Sequence, residues 1–220
     1  MCSRTHQRRS RTGRPRSTEA DTAILEATRA ALVELGWSKL TMGDVAGRAG
    51  VAKTTLYRRW ANKNELVVDA VAVLFDELEL PDLGSLQADI EHVVLQFAAL
   101  LERPETKTAL MAVVAESTRD EPLRERIRSS IVDRQKRLVL AGRRRAQQRG
   151  ELPPDLGPVA ATDDLIFDVV AGAVVHRALV SAEPVDAPWA ARLSALLLGG
   201  LGAAATAAAV RTDQKPGGSV

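Results

Sequence analysis

The sequence predicts an all-α protein: a small N-terminal unit of three helices, then a larger helical body, about nine helices in total. Three observations carry that prediction. Ala, Leu, Val, Arg and Glu dominate, aromatic residues make up only 3% of the chain, and no stretch alternates apolar and polar residues as a half-buried strand would. Apolar residues recur instead at steps of three and four, in blocks closed by Gly or Pro. Near the N-terminus two short blocks of this kind are joined by a tight turn. At 220 residues the chain can build one substantial core, or a small domain beside a larger one.

Residues 1–17 read as a basic arm. Arg4, Arg8, Arg9, Arg11, Arg14 and Arg16 lie in it with almost nothing apolar, a composition expected to be disordered in isolation. The first helix is expected from Thr18 to Leu35, with Ile24, Ala27, Ala31, Leu32 and Leu35 as its buried stripe and Gly36 as its end. Trp37 and Leu40 then plug a small core shared with Val45, Val51 and Leu56. Thr41 is placed to cap a second, short helix, in which Met42, Val45, Ala46 and Ala49 recur at helical spacing. Gly50 stands where the chain must reverse, a place that favours positive φ. A third helix is expected from Lys53 to Trp60. Leu56 and Trp60 share its buried face, and Lys53, Thr54, Thr55, Tyr57 and Arg58 are left on the surface. Asn62 and Glu65 form a capping pair for the next helix, with Lys63 in its first turn.

Two short helices at a steep angle, the second rich in Lys, Thr, Tyr and Arg, form a helix-turn-helix. An α-helix fits the major groove of B-DNA, where base edges carry a readable pattern of donors and acceptors. Ala46 is small, as a helix must be where another crosses it closely. A helical hairpin with a solvated polar face is the plainer alternative. The stretch also resembles the DNA-binding signature of the TetR/AcrR family of bacterial transcriptional regulators. The matching residues are Gly36-Trp37, Thr41-Met42, Asp44-Val45-Ala46, Gly50-Val51, Leu56-Tyr57, Trp60, Asn62-Lys63 and Leu66. The sequence departs at Ala52, where the family more often has a Ser that caps the recognition helix; the loss of that cap costs about 1 kcal/mol of local helix stability.

Lys53, Thr54 and Thr55 begin the recognition helix and are the candidates for base edges; Thr41, Tyr57, Arg58 and Lys63 are the candidates for phosphates. The resemblance implies a phosphate contact from the Tyr57 hydroxyl. Gly13-Arg14-Pro15-Arg16 resembles the core of minor-groove-binding arms, so Arg14 and Arg16 are assigned a minor-groove or phosphate contact. The helix-turn-helix domain is set at residues 18–64, and the body at 65–210.

The body opens with a helix expected from Lys63 to about Leu80, carrying Leu66, Val67, Ala70, Val71, Leu74, Phe75 and Leu78. It begins beside the DNA and ends in the body, which makes it the mechanical link between them. Pro81, Asp82 and Gly84 break the chain. Further helices are expected from Leu86 to Glu102, from Glu105 to Ser117, and from Pro122 to about Arg149, where Arg143-Arg144-Arg145 reads as a solvated helix end. Gly150 to Pro154 forms a loop. Helices from Thr162 to Ser181 and from about Pro188 to Val210 close the chain, before a flexible tail at 211–220. The last of these has 18 uncharged residues between Arg192 and Arg211, but so many are Ala and Gly that it makes a poor membrane span. Small residues such as Gly199, Gly200 and Gly202 suit close packing. The two closing helices are therefore expected to pair with their symmetry mates as a homodimer, which the resemblance also implies.

Charge is distributed unevenly. Residues 1–63 hold 13 Lys/Arg against 5 Asp/Glu, and residues 64–220 hold 17 against 23, within a total of +2. A basic head on an acidic body suits a polyanion ligand. The one cysteine, Cys2, forms no internal disulfide, and the N-terminus lacks the apolar core of a signal peptide, so a cytoplasmic location is expected. No Gly-rich phosphate loop, metal-spaced His/Cys cluster or nucleophile motif appears, so neither an enzyme nor a bound cofactor or metal is expected. The resemblance implies a repressor that leaves a palindromic double-stranded operator when a small lipophilic inducer enters a cavity between Leu86 and Ser181. His92, Phe97, Met111, Phe167, His176 and Arg177 are the candidate lining residues. A non-specific architectural DNA binder is the rival reading.

Overall fold

The computed structural model describes the backbone of residues 15–154 and 160–213, and side-chain surroundings for 18–154 and 165–200. Arg14 lies outside the described residues, as does the side chain of Arg16. All regular structure among the described residues is helical. The head comprises α1 (Pro15–Lys39), α2 (Met42–Arg48) and α3 (Lys53–Tyr57). Gly36 interrupts α1 with φ +71° and ψ 169°, a left-handed φ that only glycine takes cheaply. Ile24 and Leu32 of α1, Val45 of α2 and Leu56 of α3 are fully buried and form the small core.

Helix α4 (Lys63–Phe75) leaves the head and enters the body. It stops five residues before the expected Leu80. The chain turns at Asp76–Leu78, and both polar groups of the Gln96 amide bond to the Glu79 backbone, so the chain around Leu78 bends inward rather than continuing as helix. Helices α5 (Leu86–Glu102) and α6 (Pro104–Ser117) follow, the first capped by Ser85, whose hydroxyl accepts from Ala88 N–H at 3.2 Å. The long helix expected after Pro122 is present as α7 (Glu121–Ile127) and α8 (Asp133–Gln148), joined through one widened turn at Arg128–Val132. There the Asp133 N–H reaches back five residues to Arg128 O. Helix α9 (Ala160–Val175) ends in a second widened turn, His176–Val180, and α10 (Ala187–Asp213) closes the chain.

Helix α6 lies against α1 and α4, so the body grips the head directly. Helix α10 runs along α5, while α9 packs on α8 and α5. Among the described residues no helix is long and apolar enough to cross a membrane.

Candidate nucleic-acid interface and apolar cavity

The entry to α2 is built by a reciprocal cap. Asp44 N–H donates to Thr41 Oγ1 (3.2 Å), while Thr41 N–H and the Thr41 hydroxyl both donate to Asp44 Oδ2 (2.9 and 2.6 Å). These bonds favour the carboxylate and hold Asp44 below its ordinary pKa, with Arg48 and Lys53 adding attraction. Gly50 takes φ +63°, and Val51 N–H reaches Ala46 O at 3.0 Å, which closes the turn. Helix α3 starts at Ala52 with no side-chain cap, as the sequence implied, and spans Lys53–Tyr57 rather than reaching Trp60.

Thr41, Lys53, Thr54 and Arg58 are exposed, Tyr57 is 55% exposed, and Thr55 is half-buried beside them. They belong to adjacent short elements, all anchored on the buried Leu56. Lys53 reaches back over α2: a Cβ on Gly43 would stand 3.1 Å from both Lys53 Cε and Nζ. Lys63 is placed differently. Its ammonium donates to Trp37 O at 3.0 Å and lies 4.5 Å from the Trp37 ring centroid, so it ties the start of α4 to the end of α1. The face is braced by ion pairs between Arg48 and Glu34 (2.7 Å) and between Arg59 and Asp21 (2.6 Å).

Behind α4 lies a cavity of about 120 Å³. Phe75 of α4, Ile90 and Phe97 of α5, Ile131 and Leu138 of the α7–α8 element, Phe167 and Val170 of α9, and Leu197 of α10 all face it. The Phe75 and Phe97 rings meet at 5.9 Å and 53°. An apolar cavity of about 150 Å³ holds a benzene molecule, so this space suits one ring or a short alkyl chain.

A strap formed by the residues between α4 and α5 closes one side, with its Leu78 and Leu80, and Leu86 at the start of α5, on the wall. Arg145 donates to Leu80 O at 2.7 Å. Arg149 pairs with Asp82 (2.5 Å), with fully buried Asp89 (3.0 Å) and with Glu151 (2.5 Å). Asp89 also accepts from Leu83 N–H (2.8 Å) and Glu151 from Leu86 N–H (2.7 Å). The Leu86 N–H first, and then Arg149, hold the Glu151 carboxyl below its usual range. Gly142 makes room for the strap, because a Cβ there would stand 2.6 Å from Leu80 Cδ2.

Of the six lining residues expected from the sequence, the structure brings Phe97 and Phe167 to the cavity and places four elsewhere. His92 is half-buried on α5 but off the wall, and Met111 is 46% exposed on α6. His176 is exposed, with Nδ1 3.4 Å from Ser181 Oγ. Arg177 is engaged by Pro184 O (2.7 Å), Glu183 (2.6 Å) and the Trp189 ring (5.2 Å).

Residues 24–70 match the model of the bacterial regulatory proteins of the tetR family, and residues 80–197 match the tetracyclin repressor-like C-terminal domain. The chain belongs to the TetR family. It is 30% identical to an uncharacterised helix-turn-helix-type transcriptional regulator of Bacillus subtilis, over 80% of this chain and 87% of that protein. It is also 30% identical to the DNA-binding transcriptional repressor TetR of Mycobacteroides abscessus, over 78% of this chain and 87% of that one. A crystal structure of a TetR family transcription regulator superposes with a TM-score of 0.69 at 30% identity, covering 83% of this chain and 98% of the other. The transcriptional regulator FadR of Bacillus subtilis, solved with stearoyl-CoA, shares the fold at a TM-score of 0.60 and 17% identity, covering 81% and 98%. The chain is thus a DNA-binding transcriptional regulator.

In this TetR-family regulator the sequence reading missed the two polar side chains on the cavity wall, Gln135 and Arg143. Arg143, which by sequence reads as part of a solvated helix end, lies on that wall. Of that arginine run Arg144 alone is exposed, since Arg145 holds the strap. The i, i+3, i+4 spacing of Ile131, Gln135, Leu138 and Val139 was the available signal, with Gln135 as a polar interruption of an apolar stripe.

Proposed function

We propose that this regulator is a repressor, working in the cytoplasm, that holds a palindromic operator as a homodimer and releases it when a small lipophilic molecule fills the cavity. Lys53, Thr54 and Thr55 read base edges, and Thr41, Tyr57 and Arg58 hold phosphates, with Arg14 and Arg16 reaching the neighbouring minor groove. One observation carries the reading: Phe75, the last residue of the helix that starts beside α3, is itself part of the cavity wall. Occupancy of the cavity therefore acts on the element that sets where the head stands. The apolar exposed residues Leu165 on α9 and Leu196 on α10, 62% and 72% exposed, supply the surface for a two-fold partner.

Selection of duplexes from fragmented genomic DNA, followed by gel shift in the presence of small aromatic and alkyl compounds, tests this. The expected result is a preference of about a thousandfold or more over bulk DNA. The best compound is expected to weaken it about a hundredfold, which requires about 2.7 kcal/mol of differential affinity between the two states. Equal retention of every duplex would favour an architectural binder instead.

A further inference from the structure

The body holds the head-linking helix through a carboxylate that has two partners on different parts of the fold. Asp69, half-buried on α4, accepts the Trp60 indole N–H at 2.8 Å. The same carboxylate is gripped from α7 by a fork, Arg126 Nε at 2.9 Å and a terminal nitrogen at 2.6 Å, and Glu65 stands 3.7 Å from the other terminal nitrogen. The fork keeps the Arg126 guanidinium firmly charged. Trp60 is only 5% exposed, and its backbone N–H donates to Leu56 O at 2.9 Å, so the residue whose indole Asp69 holds is tied through its main chain to the residue that anchors α3.

From Arg126 the chain runs through the widened turn to the cavity. Ile131 and Gln135 lie on the wall, and the Gln135 amide donates to Phe75 O at 2.9 Å. Arg134 pairs with Asp76 at 2.8 Å. The α7–α8 element therefore holds α4 at its middle and at its end, with the cavity wall between the two grips. A widened turn interrupts the regular ladder of an α-helix and is a place where helices kink, so it is where such an element can bend.

We propose that the Arg126–Asp69–Trp60 relay is the specific connection that passes a change at the cavity wall to the recognition helix. Arg126 is a positioning residue: it touches neither DNA nor ligand, and acts through Asp69 and Trp60. This rests on the regulator reading above. A bidentate fork transmits orientation as well as attraction, which a single point charge does not.

The test uses the full chain with isotopically labelled tryptophan. It gives three indole N–H resonances, from Trp37, Trp60 and Trp189, with Trp60 assigned by Trp60→Phe. Benzene added to saturation, and separately the wall variant Ile131→Ala, are expected to move the Trp60 resonance in the wild-type background and to leave it in place in Arg126→Met. Arg126→Lys, which keeps the charge but loses the fork, should fall between. Asp69→Asn, whose amide oxygen still accepts from Trp60, should behave as Arg126→Met does, and it serves if that variant folds poorly. On a selected operator, Ile131→Ala is expected to change Kd at least about fivefold alone and less than about twofold in the Arg126→Met background. A Trp60 resonance that moves as far in the Arg126 and Asp69 variants as in wild type, or that moves under neither perturbation in wild type, overturns the relay. A chain that binds no duplex yet shows the indole pattern overturns the regulator reading and leaves the relay standing.

Discussion

The exposed side chains of α2 and α3 divide by what their polar atoms already do in the free protein. Lys53 is exposed and Thr55 half-buried at the start of α3. Thr55→Ala and Lys53→Ala are therefore expected to weaken the operator complex more than the complex with random duplex, measured by competition gel shift. Arg58→Ala, a phosphate candidate, should weaken both alike and reduce the slope of log K against log salt by about 1. Lys63 was assigned to phosphate from sequence, but its ammonium is committed to Trp37, so Lys63→Ala should lower the melting temperature together with the affinity. Thr41→Ala removes the reciprocal cap with Asp44 and should cost about 1 kcal/mol in thermal unfolding, most of which Thr41→Ser recovers. Gly43 was not legible as functional. Its importance comes from the Lys53 chain folding across it, a contact between two helices that no spacing reports. The same holds for Asp69. An acid four positions after Glu65 reads as solvated surface until Trp60 and Arg126 are found on either side of it.

Several helix ends made by a local side chain or glycine were legible in the sequence. Thr41 and Asn62 sit at N-caps in the structure as expected, and Gly36, Gly50 and Gly150 take the positive φ that reversal needs; the Ser85 cap emerges only from the structure. The early end of α4 was hidden, because it depends on Gln96 from another helix. The strap that follows was hidden too, being held at Leu80 and Asp82 by Arg145 and Arg149 from more than sixty residues away. Removing its hub should show. Arg149→Ala leaves the fully buried Asp89 with the Leu83 N–H and no cation, and is expected to lower the midpoint of urea unfolding. Glu151 supplies a pH signature. Its pKa is lowered in the folded chain, so its contribution to stability is present above the ordinary carboxylate value of about 4.3 and fades as pH falls through the lower folded value. The melting-temperature gap between wild type and Glu151→Gln should accordingly be widest near neutrality and close below about pH 4. Cavity and core look alike along one dimension. The apolar stripes of α5, α8 and α9 were readable as inward-facing, but whether neighbouring stripes meet or stand apart depends on how the helices cross. For that reason Met111, spaced like a core residue, lies on the surface, and Gln135, a polar break in a stripe, lies on the wall.

At the scale of the whole molecule the charge asymmetry and the apolar flank of α9 and α10 work together. The basic head draws the chain toward any duplex, a term that salt weakens and that carries no sequence information. On the proposed reading, discrimination at a palindrome depends on two heads being held at one spacing, so that the second engages as an intramolecular event. Leu165 and Leu196 are large, apolar and mostly exposed in the single chain, and they lie on α9 and α10, the two closing helices. Leu196→Glu places a charge on that flank without touching the core of its own chain. Its helical circular dichroism and melting profile should therefore stay near wild type while sedimentation reports a monomer. Operator affinity should fall by between about 10² and 10⁴, the range a second linked head contributes, while affinity for random duplex falls far less. A Leu196→Glu chain that stays dimeric, or a monomer that keeps full operator affinity, would mean that the two-fold axis runs through another surface.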